Sequence, residues 1–278
     1  MDSSLKKQLA VDAAKIRLAI IEGTFHAKSG HPGGSLSITE TLAYLYRCVL
    51  NVDPKNPHWA DRDRLVLSKG HTAPALYGAL ALHGFFPESE IARLRKPDSF
   101  LQGHPDMQKT PGVDMSTGSL GQGMSTAIGL AMASKIKKQD NYTYLVLGDG
   151  ECNEGSVWEA AMALSHYKLN NVITIVDRNK CQIDGTTEQV MALEPFADKW
   201  RAFGLDVVEI DGNDMAQVCE ALDYAWSRSG EDKPVLILAN TVKGKGADFM
   251  ETQVPYHYCS GDTEVCEKAK ASIMKMEV

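Results

Sequence analysis

Six cysteines among 278 residues, with no C-x-x-C pair, are too sparse for a disulfide framework and make a reduced, cytoplasmic setting the simpler expectation. No apolar run approaches the about 18 residues that a membrane helix needs. The opening Met1-Asp2-Ser3-Ser4 runs into a helical pattern bearing Lys6, Lys7, Asp12, Lys15 and Arg17, without the apolar core of a signal peptide. No membrane span and no export signal are therefore expected. Lysine and arginine form no run, and the formal net charge is −7, which excludes the basic balance of a nucleic-acid binder. Internal repeats and low-complexity linkers are missing too. What the chain has in quantity is apolar side chains, 44% of the total, enough to bury the core of one α/β domain over residues 1–278.

The apolar residues alternate between two kinds of period. Arg64 to Ser68, Tyr142 to Leu147, Val172 to Val176, Leu205 to Ile210 and Val235 to Asn240 read as strands. Between them, helical spacing runs from the N-terminus to about Lys28, from Ile38 to about Val49, from Ala73 to His83, and from Thr117-Gly118 to about Lys137. It continues from about Gly155 to Lys168, from Pro195 to Phe203, from Asp214 to Arg228 and after Asp262. Ser37 followed by Glu40 fits a capping box. About five strands alternating with helices predict a doubly wound, mainly parallel sheet flanked by helices.

The chain is organised around residues 142 to 179. A strand ends in Gly148-Asp149-Gly150, a helix follows, and a second strand ends near Asn179. Gly148-Asp149-Gly150 alone reads as a tight turn, and Asn179 as a turn residue. The spacing says more, because a right-handed crossover lays the two strands side by side and brings Asp149 and Asn179 together at their tips. A carboxylate and an amide oxygen there suit a hard cation such as Mg²⁺, which takes one or two protein oxygens and completes its shell with phosphate and water. The helix N-terminus near Glu154-Gly155 would then favour the anion.

Ligands of an open parallel sheet collect beyond the carboxyl ends of its strands. Four histidines, His31, His71, His104 and His257, sit in glycine- or proline-bearing loops there. His26, His83 and His166 fall in helical stretches, and His58 in a polar loop. A dinucleotide-binding oxidoreductase is disfavoured, since Gly118 to Gly123 lacks the G-x-G-x-x-G arrangement.

The motifs SGHPGG, SKGH, QGHPD, TGSLGQG, GDGECNEG and VDRNKCQIDG occur in the order found in transketolases, and over most of its length the chain resembles their N-terminal, diphosphate-binding domain. It is most similar to the N-terminal subunit of transketolases split over two chains. The resemblance implies thiamine diphosphate with Mg²⁺, or another divalent cation such as Ca²⁺ or Mn²⁺. The metal would be held by Asp149, Asn179 and the main-chain carbonyl of Cys181. It implies that His71, Gly150 and His257 contact the diphosphate and that Gly118 and Leu120 approach the aminopyrimidine. His31 and His104 would face substrate hydroxyls, and Glu154 would lie at a subunit interface near the cofactor. A histidine near the usual pKa of about 6.5 could pass protons to sugar hydroxyls at neutral pH, which suits His31, His71 and His104.

The reaction implied is transfer of a two-carbon ketol unit from a ketose phosphate to an aldose, with the cofactor as electron sink. No stretch matches the segment that supplies the family's catalytic glutamate, so a second, C-terminal subunit is expected to provide it in an α2β2 heterotetramer. Half of a deoxyxylulose-phosphate synthase and a catalytically silent thiamine diphosphate-binding module are the competing readings.

Overall fold

The computed structural model describes residues 2–228, 231–259 and 261–276. Five strands, β1 Arg64–Leu67, β2 Thr143–Gly148, β3 Val172–Arg178, β4 Asp206–Asp211 and β5 Val235–Asn240, form one parallel sheet in the order β1-β2-β3-β5-β4. Strands buried on both faces need no polar side, which is why β2, β3 and β5 are continuous apolar runs, whereas β4 at the edge is partly exposed.

Ten α-helical segments accompany the sheet among the described residues: α1 Ser3–Ala27, α2 Pro32–Leu36, α3 Thr39–Tyr44, α4 Ala73–Leu82, α5 Gln122–Lys137, α6 Gly155–His166, α7 Thr187–Val190, α8 Phe196–Ala202, α9 Met215–Ser227 and α10 Thr263–Met274. Successive strand side chains alternate between two cores. Leu65, Leu67, Tyr144, Val146, Ile173, Ile175 and Ile237 join α1, α3, α4, α9 and α10 in one. Val66, Leu145, Leu147, Val172, Val176 and Leu238 join α5, α6 and α8 in the other, around the buried Trp200. The doubly wound reading from sequence holds, with strand bounds shifted by one or two residues.

Two local expectations do not hold. Helix begins at Pro32, whose fixed φ suits a first helical position, and it resumes at Thr39, so the glycine- and proline-bearing loop expected at His31 is helical from Pro32 to Leu36. Ser37 and Glu40 form no capping box, because each has a longer-range partner. The Ser37 hydroxyl donates to Gly34 O at 2.9 Å and to Asp177 Oδ2 at 2.7 Å. The Glu40 carboxylate accepts from Arg17 Nη2 at 2.5 Å and from Asn213 Nδ2 at 3.1 Å. A capping box does occur at Thr186 and Gln189, opening the one-turn α7 that periodicity did not reveal.

Arg17 also donates from Nε to Lys245 O at 3.0 Å, so this buried pair ties α1 to α3 and to the loop after β5. Removing one member strands the other charge in the core. Arg17→Met should cost about 3–5 kcal/mol in chemical denaturation. Arg17→Met with Glu40→Leu should recover most of that loss, and a double variant as unstable as the single would show that packing, not charge, is at stake.

Candidate active site

A cavity of 240 Å³ opens at the carboxyl ends of the strands, with Asp149 and Asn179 both in its wall. The register that pairs Gly148 with Asp177 sets the two tips side by side, and Asp149 N donates to Asp177 O at 3.2 Å. The Asp149 side chain is 2% exposed. Its oxygens accept from Gly150 N at 2.8 Å and Lys180 N at 2.6 Å, and it has no ion-pair partner among the described residues. Burial, reinforced by the neighbouring Asp177, pushes its pKa up to about 7. A cation placed here would supply the missing compensation. Asn179 turns Nδ2 to Asp177 Oδ2 at 3.0 Å, while its Oδ1 accepts from Cys181 N at 3.1 Å. Burial raises the Cys181 thiol, which argues against a thiolate ligand.

Three of the four loop histidines meet. Ring centroids lie 5.2 Å apart for His31 and His71, 5.3 Å for His31 and His257, and 5.4 Å for His71 and His257. His257 arrives on a 3₁₀ turn, Val254–His257. Desolvation lowers all three. His31 falls to about 4 and His257 to about 3, each helped by the Lys243 charge, and His71 falls well below the usual value. The expectation of imidazoles near pKa 6.5 at His31 and His71 is therefore corrected: burial and neighbouring positive charge lower both rings, and His257 with them, so that they are neutral at pH 7. His31 Nδ1 is buried without a partner. His104 stands at the rim, exposed, and its pKa is lowered by burial and by Arg95. Its ring packs on Gly118, where an added Cβ would lie 2.9 Å from His104 Cδ2.

Two lysines that the sequence reading passed over line the same cavity, each 1% exposed. Lys69 Nζ donates to Asp177 Oδ2 at 2.5 Å and to Gly34 O at 2.8 Å. Lys243 Nζ donates to Gln182 O at 3.3 Å and contacts His257 Nδ1 at 3.0 Å, and burial lowers its pKa. No carboxylate pairs with Lys243 among the described residues, leaving a buried cation beside a buried acid. Nothing in a sequence marks a lysine as fully buried. The only available signal was adjacency to His71 in SKGH and to glycines in KGKG.

The wall carrying Gly118 and Leu120 is held by Glu151. Its carboxylate accepts from Gly121 N at 2.9 Å, Gly148 N at 2.9 Å and the Ser68 hydroxyl. Gly121 has φ +82, a conformation few side chains tolerate, and this points its N–H at Glu151. Gly70 permits a second close approach, since a Cβ there would lie 2.7 Å from Gly118 N.

Of the residues singled out from sequence, His31, His71, His257, Gly118, Leu120, Asp149, Gly150, Asn179 and Cys181 line the cavity. His104 and Glu154 are exposed outside that lining, and Glu154 packs on Gly121. The N-terminus of α6 does not reach it either. A 3₁₀ turn, Gly150–Asn153, intervenes between β2 and α6, so Gly150 and not Gly155 meets the cavity.

The chain matches the family described as transketolase, thiamine diphosphate binding domain, over residues 7–274. It is 48% identical over 246 residues to a 6-deoxy-6-sulfo-D-fructose transketolase subunit of a Clostridium species, covering 88% of this chain and 89% of the relative. It is 42% identical over 264 residues to an apulose-4-phosphate transketolase subunit of Phocaeicola vulgatus, covering 94% and 92%. The crystal structure of a Campylobacter jejuni transketolase superposes with a TM-score of 0.88 at 33% identity, over 99% of this chain and 43% of that one.

A carboxyl whose folded pKa is about 7 and whose unfolded pKa is about 4 binds its proton more tightly in the fold. Its stabilising contribution is full below the lower value and disappears as pH rises through the upper one. Without ligands, thermal stability of the wild type should therefore fall relative to Asp149→Asn between about pH 4 and pH 7, by at most about 1.4 kcal/mol per pH unit. Parallel pH profiles of the two proteins would remove Asp149 as the strained acid.

Proposed function

This chain belongs to the transketolase family, through its thiamine diphosphate-binding domain, and on that premise we propose that it is the N-terminal subunit of a two-chain transketolase. The reaction is transfer of a two-carbon ketol unit from a ketose phosphate to an aldose or aldose phosphate. Relatives named as subunits that match this chain over about nine-tenths of their own length support a two-chain enzyme. The observation that carries the reading is the juxtaposition in one cavity of Asp149 and Lys243, both buried and neither with an ion-pair partner among the described residues. A metal diphosphate brings both missing charges at once.

The donor set fits that ligand. Among the described residues no three His, Cys, Asp or Glu side chains gather as a metal cage. One carboxylate, one amide oxygen and a main-chain carbonyl suit a hard divalent ion that takes its remaining ligands from phosphate and water. Asp149, Asn179 and the carbonyl of Cys181 would hold Mg²⁺, or Ca²⁺ or Mn²⁺ in its place. Lys243, His71, His257 and Gly150 would meet the diphosphate, with Gly118 and Leu120 against the aminopyrimidine.

Thiamine diphosphate, once bound, supplies the electron sink for breaking the C–C bond. The chain's own part is to position and to move protons. His31 and His104 face the sugar hydroxyls, and a neutral imidazole can accept a hydroxyl proton and return it. The unpartnered His31 Nδ1 is the ring nitrogen left for that hydrogen bond. A partner chain contributes the glutamate that activates the cofactor, in an α2β2 assembly working in the cytoplasm, and Glu154 lies on the surface toward that partner.

Three measurements test this. The purified chain should transfer no ketol units alone and should do so once mixed with the C-terminal subunit encoded beside it; full activity of the single chain would sink the two-chain reading. In calorimetry, Asp149→Ala should weaken Mg²⁺-dependent thiamine diphosphate binding by at least the about 10–100-fold that losing an outer-shell partner costs. His104→Ala should keep that affinity while turnover of the mixed complex drops about 100-fold or more, and an unchanged turnover would remove His104 from the proton pathway.

A further inference from the structure

Asn179 can serve a cation only with its oxygen turned outward, and an amide has no intrinsic preference between its two ends. Two neighbours decide, the main-chain N–H of Cys181 and, inward, the carboxylate of Asp177. Asp177 is 0% exposed and offers only acceptors. Its Oδ2 receives Asn179 Nδ2 at 3.0 Å, Lys69 Nζ at 2.5 Å and Ser37 Oγ at 2.7 Å. Its Oδ1 receives the Thr241 hydroxyl. Turning the Asn179 amide over would press Oδ1 against this carboxylate and Nδ2 against the N–H of Cys181, which now donates to Oδ1 at 3.1 Å. Both contacts would become repulsive.

We propose that Asp177 is a positioning residue for the cation site: by accepting only from Nδ2, it fixes Asn179 with its oxygen toward the cavity. This rests on the transketolase reading, because that reading makes Asn179 a metal ligand. Asp177 touches neither cation nor cofactor. It acts by removing the orientation in which Asn179 would show an N–H to the metal. The four donors around it come from separate stretches of chain, so Asp177 is held against drifting to accommodate a reversed Asn179.

The donor and acceptor of the pair can be exchanged. In Asp177→Asn, Lys69 Nζ can only donate and still favours the new amide's oxygen on its side, but the neutral amide attracts Asn179 Nδ2 less and carries a donor of its own, so it selects the orientation of Asn179 more weakly. In Asp177→Asn with Asn179→Asp, the inner amide donates to the outer carboxylate, which again shows oxygen to the cation. The experiment titrates Mg²⁺ into the full chain with thiamine diphosphate in excess, following heat of binding, beside a thermal melt.

Asp177→Asn should raise the Mg²⁺ concentration for half-saturation by at least about 10-fold, and the exchanged double variant should recover most of that change. A fold-only role would lower the melting temperature and leave the Mg²⁺ titration unmoved. Wild-type Mg²⁺ affinity in Asp177→Asn, or an exchanged variant no tighter than the single one, overturns the proposal. Should neither variant fold, Thr241→Val loosens Asp177 from its other oxygen without touching the cavity; weaker Mg²⁺ binding then supports the proposal and unchanged binding overturns it. If the wild-type chain shows no Mg²⁺-dependent binding of thiamine diphosphate, the transketolase reading fails first and this inference with it.

Discussion

The buried pair of Asp177 and Lys69 is the constraint on which the site depends. A lone carboxylate or ammonium this far from water would cost several kcal/mol, so each requires the other and a full set of hydrogen bonds. Meeting that requirement recruits Ser37 before α3, Lys69 after β1, Asn179 after β3 and Thr241 after β5. Four loops that a parallel sheet merely brings near one another are thereby locked at one corner. Such a pair adds little net stability over an apolar core, and its effect is better read as geometric. It fixes where the loops carrying His31, His71 and Asn179 can sit.

Around this paired centre lies a ring of buried and half-buried titratable groups with no ion-pair partner among the described residues. Asp149 is raised, while His31, His71, His257 and Lys243 are lowered, with desolvation the first cause in every case. Each group is pushed toward neutrality, the cheaper state for a buried group without a counter-ion. A ligand with both a cation and a polyanion reverses the argument at once, since the cation favours ionised Asp149 and the phosphates favour protonated Lys243. The metal diphosphate proposed for this cavity would therefore be held in part by reversing these shifts.

Much of this was legible in the chain. Strands buried on both faces announce themselves as unbroken apolar runs, and helices by their period, so sheet and crossover followed directly and put Asp149 beside Asn179. Histidines in glycine-bearing loops at strand ends were visible for the same reason. Misreadings arose where a local rule met a distant partner. Ser37 and Glu40 have capping-box spacing, but Asp177 and Arg17 claim them. The start of α6 looked like the anion site until the turn Gly150–Asn153 displaced it. Lys69, Lys243 and Asp177 were missed because charge in a sequence reads as surface, and only packing shows which charges are buried together.

Burial also divides the site into two grades of preorganisation. The groups proposed for cation and diphosphate, Asp149 and Lys243, are almost fully buried, and the Glu151 carboxylate fastens the adjoining wall to Gly121 and Gly148. These cannot move without disturbing the core. His104 and Glu154 instead lean on the bare backbones of Gly118 and Gly121 from the solvent side. A side chain that rests on glycine from one side has its other side open, so its final orientation depends on whatever covers it. On the proposed assignment, the groups for the cofactor are set by this chain's own fold, whereas the orientation of His104 and Glu154 would be completed by a partner surface laid over Gly118 and Gly121.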